Sequence, residues 1–322
     1  MADAPIGVVY NTSMTRPDAA LALAAMYVME SKKESHMGSV CVVGAGFNAA
    51  VFCDIIGKMY TFGPARNGNQ ALAVGLAAEQ GIPDSPMVKT AVEHNYPRTI
   101  QRVTDTSAPM EVLRNGVIFN TTSAVILSGP ATYLAKTLDL LNVKDLYKDR
   151  VKRLIIVDSG TPYNDAAALR RVIAEWPTPI FFCPKEVGDS LKFPGTQLDK
   201  DFSWAPSHPV VDAYKAYKPM PYDAPLYDLA ATHYAIQPDS GFFELSAAGT
   251  INIANDGAMK FAPGSGNVKS IGIVPAKKDE LLTALVDIAT AKPVAPVPGR
   301  GGRGGSGRGV ITPAIVPPNV NK

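Results

Sequence analysis

Ile6-Gly7-Val8-Val9-Tyr10-Asn11-Thr12-Ser13-Met14-Thr15-Arg16-Pro17-Asp18-Ala19-Ala20-Leu21-Ala22-Leu23 decides the fold class. Ile6–Tyr10 is a short continuous apolar run, the pattern of a strand buried on both faces. Asn11–Asp18 is polar and contains a proline, so it reads as a loop. From Ala19 to Ser31, alanine, leucine and methionine recur at helical spacing. A buried strand feeding a helix through a loop is the first half of a strand–helix–strand unit.

The same alternation runs on through the chain. Strands are expected at Ser39–Val43, Ala124–Leu127, Arg153–Val157 and Ile180–Cys183. Helices are expected at Ala49–Tyr60, Ala131–Leu141 and Asp165–Glu175. The expected fold class is α/β, with a mostly parallel central sheet flanked by helices. Ligands of such sheets bind beyond the carboxyl ends of the strands. The loops after Tyr10, Val43, Leu127 and Val157 are therefore the expected walls of a site.

The pattern changes towards the C-terminus. Gly241–Ser246 and Thr250–Ile253 alternate as half-buried strands, and Asn255-Asp256-Gly257 before Met259 is a hairpin signal. A small antiparallel hairpin is expected there, then a last helix over Lys277–Ala291. Asp199–Pro225, rich in proline and aromatic residues, reads as an ordered extended loop. The expected division is one domain over 1–292 and a Pro/Gly/Arg-rich tail over 293–322. By composition the tail is disordered alone. Its Val310–Val316 stretch suits an arm docking on a neighbouring subunit, which makes a homo-oligomer or larger assembly the expected partner state.

Composition removes several classes. Net charge is +2 and charged residues make up 19% of the chain. A strongly basic nucleic-acid protein is not expected, and the three arginines of the tail are a faint RNA signal. No apolar run is long enough to span a bilayer. Three cysteines without a CxxC argue against a disulfide framework or zinc site, and four scattered histidines against a histidine-ligated metal. Ala2-Asp3-Ala4 is similar to the small-residue tail around a cleaved export signal, which favours an extracellular or periplasmic protein.

Several ordered segments together resemble the inosine–uridine-preferring nucleoside hydrolase family. The first loop is similar to that family's opening Asp-Thr-Asp-Pro-Gly-x-Asp-Asp-Ala-x-Ala-Leu. Leu127-Ser128-Gly129-Pro130-Ala131-Thr132-Tyr133-Leu134-Ala135 resembles its Gly-Pro-Leu-Thr-Asn-Leu-Ala. Ala224-Pro225-Leu226-Tyr227-Asp228-Leu229-Ala230-Ala231 resembles its late His-Asp-Pro-Leu-Ala, and Asp165-Ala166-Ala167-Ala168 its Asp-Pro-Glu-Ala-Ala. The resemblance covers roughly residues 6–292.

The resemblance implies a calcium site. In the family, first-loop aspartates, a threonine carbonyl and the late aspartate hold the ion. The ion binds ribose hydroxyls and a water, one aspartate takes the water's proton, and the water attacks the anomeric carbon. Carried over by position, Asn11, Ser13 and Pro17 stand where aspartates are expected, Ser13 in the place of the general base. Tyr227 stands where some members have a histidine acid. Asp18, Thr132 and Asp228 match the remaining metal ligands. Asn164 is the one candidate to replace a sugar-gripping stretch that the short Asp158–Asp165 segment lacks.

Two carboxylates and a carbonyl make a weak cage for a hard dication. A serine hydroxyl without a partner base is a poor proton acceptor. The expectation is a nucleoside hydrolase-like protein without calcium-dependent N-ribohydrolase activity, serving as a binding or structural subunit, with no cofactor unless calcium still binds. A nucleoside-like ligand fits the same resemblance. The competing expectation is an active N-glycoside hydrolase with a rearranged site. A simpler role for Asp18 and Asp228 is helix capping.

Overall fold

The computed structural model describes residues 5–61, 72–77 and 84–295. The tail from 296 onward lies outside the described residues, and with it the docking-arm expectation. The strands are β1 Ile6–Thr12, β2 Ser35–Val42, β3 Val74–Leu76, β4 Ser123–Ser128, β5 Val151–Val157, β6 Ile180–Cys183, β7 Lys192–Phe193, β8 Ala224–Pro225, β9 Phe243–Ile253, β10 Met259–Pro263 and β11 Val268–Ile273. The helices are α1 Pro17–Ser31, α2 Phe47–Tyr60, α3 Pro86–Glu93, α4 Pro109–Ile118, α5 Thr132–Thr137, α6 Val143–Arg150, α7 Ala166–Glu175, α8 Lys185–Ser190, α9 Leu198–Asp201, α10 Pro209–Tyr217, α11 Tyr227–Ile236 and α12 Lys278–Thr290.

Nine strands form one sheet in the order β10-β9-β11-β6-β5-β4-β1-β2-β3. From β11 to β3 every neighbouring pair is parallel, while β9 runs antiparallel to β11 and β10. β7 and β8 form a separate antiparallel pair. Alternating side chains fill both faces of the sheet. Val8, Tyr10, Val40, Ala124, Ile126 and Ile155 face one core, with α1, α2, α11 and α12. Val9, Cys41, Val125, Leu127, Leu154 and Ile156 face the other, with α4, α5, α6 and α7.

Helix α1 carries the opening motif away from the sheet edge. It is apolar all round, and every residue from Pro17 to Met29 is buried. Such a helix has no solvent face to offer and belongs inside the protein. Here α2, α10, α11 and α12 surround it. The polar residues at its entry are thereby pulled below the surface too.

The expected strand–helix alternation is present, with the hairpin at Asn255–Gly257: Ile253 pairs with Met259, and Gly257 has φ +90°. Three readings need correction. Asp199–Pro225 is not an extended loop throughout, because it contains α10. Pro209 stands at the first turn, where it costs no hydrogen bond, and the His208 ring accepts from the Val210 amide as the N-cap. Gly241–Ser246 and Thr250–Ile253 belong to one long strand, β9. The helix expected over Ala131–Leu141 ends at Thr137, and Asn142 turns left-handed (φ +62°) before α6. β3, α3, α4, α6 and α8 carried no clear periodic signal and were not anticipated. Cys41, Cys53 and Cys183 are free and buried. Among the described residues no helix is long and apolar enough to cross a membrane.

Candidate functional site

The carboxyl ends of β1 and β4 place Asn11, Ser13 and Ser128 together, and the entry of α1 adds Arg16, Pro17 and Asp18. The first turn of α11 brings Tyr227 and Asp228 to the same point. Asp18 and Asp228, 210 positions apart, thus meet as the sequence expected. Asp18 lies in the first turn of α1 yet caps a different helix. Its Oδ2 accepts the Asp228 amide at 2.5 Å and its Oδ1 the Leu229 amide at 3.2 Å, both in the first turn of α11.

Asp228 is fully buried, and both of its carboxylate oxygens accept hydrogen bonds. Its Oδ2 accepts from the Tyr10 hydroxyl at 2.5 Å. Its Oδ1 accepts from the Ser128 hydroxyl at 2.6 Å and from Arg16 Nη2 at 2.9 Å. The same Nη2 lies 3.3 Å from Ser128 Oγ. The Arg16 side chain is only 12% exposed. Its Nε and Nη1 are buried and find no partner among the described residues.

The electrostatics follow from this packing. Burial raises the Asp18 pKa well above the usual carboxylate range, and the neighbouring Asp228 charge adds to the rise, against the opposing pull of Arg16. Burial also raises the Tyr10 phenol, with Asp228 reinforcing it, so Tyr10 stays a donor. Burial opposes the Arg16 charge. Asp228, Tyr163 and Asp18 together outweigh that cost and raise its pKa. The guanidinium stays charged.

Residues expected from the resemblance are placed unevenly. Ser13 Oγ lies 3.0 Å from Thr15 Oγ1 and 3.1 Å from the Tyr163 hydroxyl, so it has partners but no base. Asn11 is buried, reaches the Pro130 carbonyl only at 3.4 Å, and leaves Oδ1 without a partner. Pro17 is the first helical residue of α1. Tyr227 packs on Gly188 of α8, where a Cβ would sit 2.2 Å from its ring. Its hydroxyl donates to Asp189 at 2.6 Å.

Thr132 is tied to Asp165: its amide and hydroxyl both bond Asp165 Oδ2 at the start of α5. Ser128, at the end of β4, contacts Asp228. Asn164 is exposed. Its neighbour Tyr163 takes the inward position, donating to the Ser128 carbonyl at 3.2 Å. Sequence reasoning missed Tyr10, Ser128 and Tyr163. The position of Ser128 as the last residue of its strand was the one available signal.

Tyr163 is held from behind by the β9–β10 hairpin. A Cβ on Gly257 would lie 2.4 Å from the Tyr163 carbonyl oxygen, and its φ of +90° is unfavourable for any other residue. Gly257→Ala is therefore expected to cost about 1–3 kcal/mol and to displace Tyr163 from Ser13. Urea unfolding and Tyr163 fluorescence or NMR shifts would check this; an unchanged midpoint would reject it.

A cleft of about 220 Å³ opens beside the pair, lined by Arg16, Pro17, Ser159, Thr161, Tyr222 and Tyr227 among others. Calcium requires 6–8 oxygens at short range. The two carboxylates here have their oxygens occupied by N–H and O–H donors, and one already holds a guanidinium. No cluster of three or more histidine, cysteine or acidic side chains suited to a metal exists among the described residues. The donor set as folded does not fit a calcium shell.

No family model and no curated protein sequence matches this chain. Solved structures do match in fold. An inosine–uridine-preferring nucleoside hydrolase from Bacillus anthracis is 12% identical, with TM-score 0.62 over 87% of this chain and 99% of that one. A plant nucleoside hydrolase is 16% identical, with TM-score 0.66 over 89% and 99%. The type III effector protein XopQ, solved with adenosine diphosphate ribose, is 14% identical, with TM-score 0.60 over 90% and 95%. At these identities the likeness establishes a nucleoside hydrolase-like fold.

Proposed function

We propose that this protein is a nucleoside hydrolase-like binding or structural subunit that lacks calcium-dependent N-ribohydrolase activity. The observation that carries the reading is the closed hydrogen-bond network around the carboxylate pair. Asp18 spends both oxygens on the first turn of α11, and Asp228 spends its own on Tyr10, Ser128 and Arg16. Every one of these oxygens already holds a donor, so a dication at the pair would have to displace protein hydrogen bonds and the Arg16 guanidinium. Ser13, at the position of the base, meets only hydroxyl groups. The cleft beside the pair keeps aromatic and hydroxyl-bearing walls, which suit a nucleoside-like ligand held without being cleaved.

Purified protein incubated with inosine, uridine, adenosine and guanosine, with and without millimolar calcium, is expected to release no free base above the buffer control. Chromatography of the products measures this. Calcium-dependent release of any base would overturn the reading in favour of a hydrolase with a rearranged site.

A further inference from the structure

The geometry points to Arg16 as a cation supplied by the chain itself, standing in for an external divalent ion at the Asp18–Asp228 pair. It shares with the proposed function the premise that no such ion serves this site, but makes a separate claim about what holds the site together.

Asp18 and Asp228 are both buried, and Asp18 accepts the Asp228 amide, so two acidic side chains share one buried site. Buried charge of this kind needs a positive partner. Of the nearby cations, Lys185 is engaged on the surface with Asp189, which in turn takes the Tyr227 hydroxyl, and Lys218, in the wall of the cleft, lies over the Tyr222 ring. Arg16 comes from the loop between β1 and α1, so the chain delivers it from the segment that leads into Asp18. One nitrogen, Nη2, touches Asp228 Oδ1 and Ser128 Oγ together. It thereby ties α11, the end of β4 and the entry of α1 at a single point, as a bridging ion would. The Tyr227 ring covers the guanidinium, 5.9 Å from Cζ to its centroid. Pro17 immediately after Arg16 fixes the backbone that aims it.

A tethered cation has consequences that a passive core residue lacks. Its removal leaves a small buried void with negative charge beside it, and a diffusible cation gains a place to bind. Wild-type protein, in contrast, has no use for one.

The experiment is thermal unfolding and isothermal titration calorimetry of wild type, Arg16→Ala, Arg16→Lys and Arg16→Met, each titrated with calcium chloride and separately with methylguanidinium chloride at matched ionic strength. Wild type is expected to shift by less than about 1 °C with either cation. Arg16→Ala is expected to unfold several degrees lower and to recover at least half of that loss, saturably, with one of the two cations. Arg16→Lys is expected to retain more stability than the apolar Arg16→Met. That order tests the claim even if Arg16→Ala does not fold. The inference falls if Arg16→Ala folds but ignores both cations, if Arg16→Met is at least as stable as Arg16→Lys, or if wild type binds calcium stoichiometrically. A failure with Arg16→Ala in a protein that also leaves nucleosides intact sinks this claim alone. Base release by wild type sinks the proposed function whatever the Arg16 variants do.

Discussion

Asp228→Asn is expected to be among the most damaging single substitutions in the molecule, costing about 3–5 kcal/mol. The replacement is nearly isosteric, so packing is not the cause. The Arg16 side chain is 12% exposed and its only ion-pair partner among the described residues is Asp228. Without that anion the buried guanidinium loses its one direct ion pair and keeps only the weaker pull of Asp18. The Asn amide would also turn a donor towards Tyr10 or Ser128, both of which donate to Asp228. Loss of a few kcal/mol corresponds to a melting temperature roughly 5–10 °C lower in a chain of this size. The double variant Arg16→Met/Asp228→Asn removes the stranded charge and is expected to regain much of the loss, since apolar replacement of a whole buried pair is often neutral. Equilibrium urea unfolding of the two single variants and the double completes the cycle. A loss under about 1 kcal/mol for Asp228→Asn, or a double variant no better than that single one, would contradict the ion pair's place in the core.

The second large effect is acid sensitivity arising from two buried imidazoles. Burial lowers the pKa of His208 to about 4, with Asp212 pulling weakly the other way, and burial alone lowers His233 to about 4. Both values lie below the ordinary 6.5, so between these pH values the unfolded chain binds more protons than the folded one. Stability is therefore full above about pH 6.5 and is lost as pH falls towards 4. At pH 5 the loss is about 2 kcal/mol for each histidine, by the same linkage. For His208 the structural reason is explicit. Its Nδ1 accepts the Val210 amide at 3.2 Å as the cap of α10, and protonation converts that acceptor into a donor. His233 packs against Phe242 and Phe243 with Nδ1 unpartnered. Raised carboxylate pKa values at Asp18, Asp158 and Asp165, each caused first by burial, act in the opposite sense and soften the decline at the lowest pH. His233→Phe should remove its share and flatten the slope of unfolding free energy between pH 7 and 5. A slope unchanged by that substitution, or wild-type stability that rises on acidification through this window, would refute the assignment.

The reading of the sequence was most successful where the signal is periodic. The apolar runs of β1, β4, β5 and β6 are buried on both faces, and such runs are visible without any tertiary information. The Asp-Gly turn before Met259 is equally local. Local cues misled at Pro209, where a proline among aromatic residues suggested extended chain. A helix starts there because its missing amide is one that no helix satisfies internally. β3 has only three residues, too few for any period to show.

The composition of the candidate site was also legible as chemistry. Asn11, Ser13 and Pro17 could be seen to supply no carboxylate, and Asp18 and Asp228 could be paired through the resemblance of their flanking segments. Their partners could not be read. Tyr10 and Asp228 are separated by 218 positions, Ser128 and Asp228 by 100, and Ser13 and Tyr163 by 150. Such contacts depend on strand order, on the register that sets Thr12 beside Ser128, and on the path of the short segment after β5. No local pattern encodes them.

By itself, then, the sequence determined the alternating α/β plan, the loop that would carry the site, and the shortage of acids within it, because these follow from periodicity and residue chemistry. Only the tertiary structure decided that Asp18 caps α11 rather than its own helix, that Ser128 and Tyr163 reach Asp228 and Ser13, and that Arg16 bonds Asp228. Those outcomes rest on which buried donors and acceptors meet. Burial makes every unpaired polar group costly, so the fold settles each residue's role by the partners it places within reach.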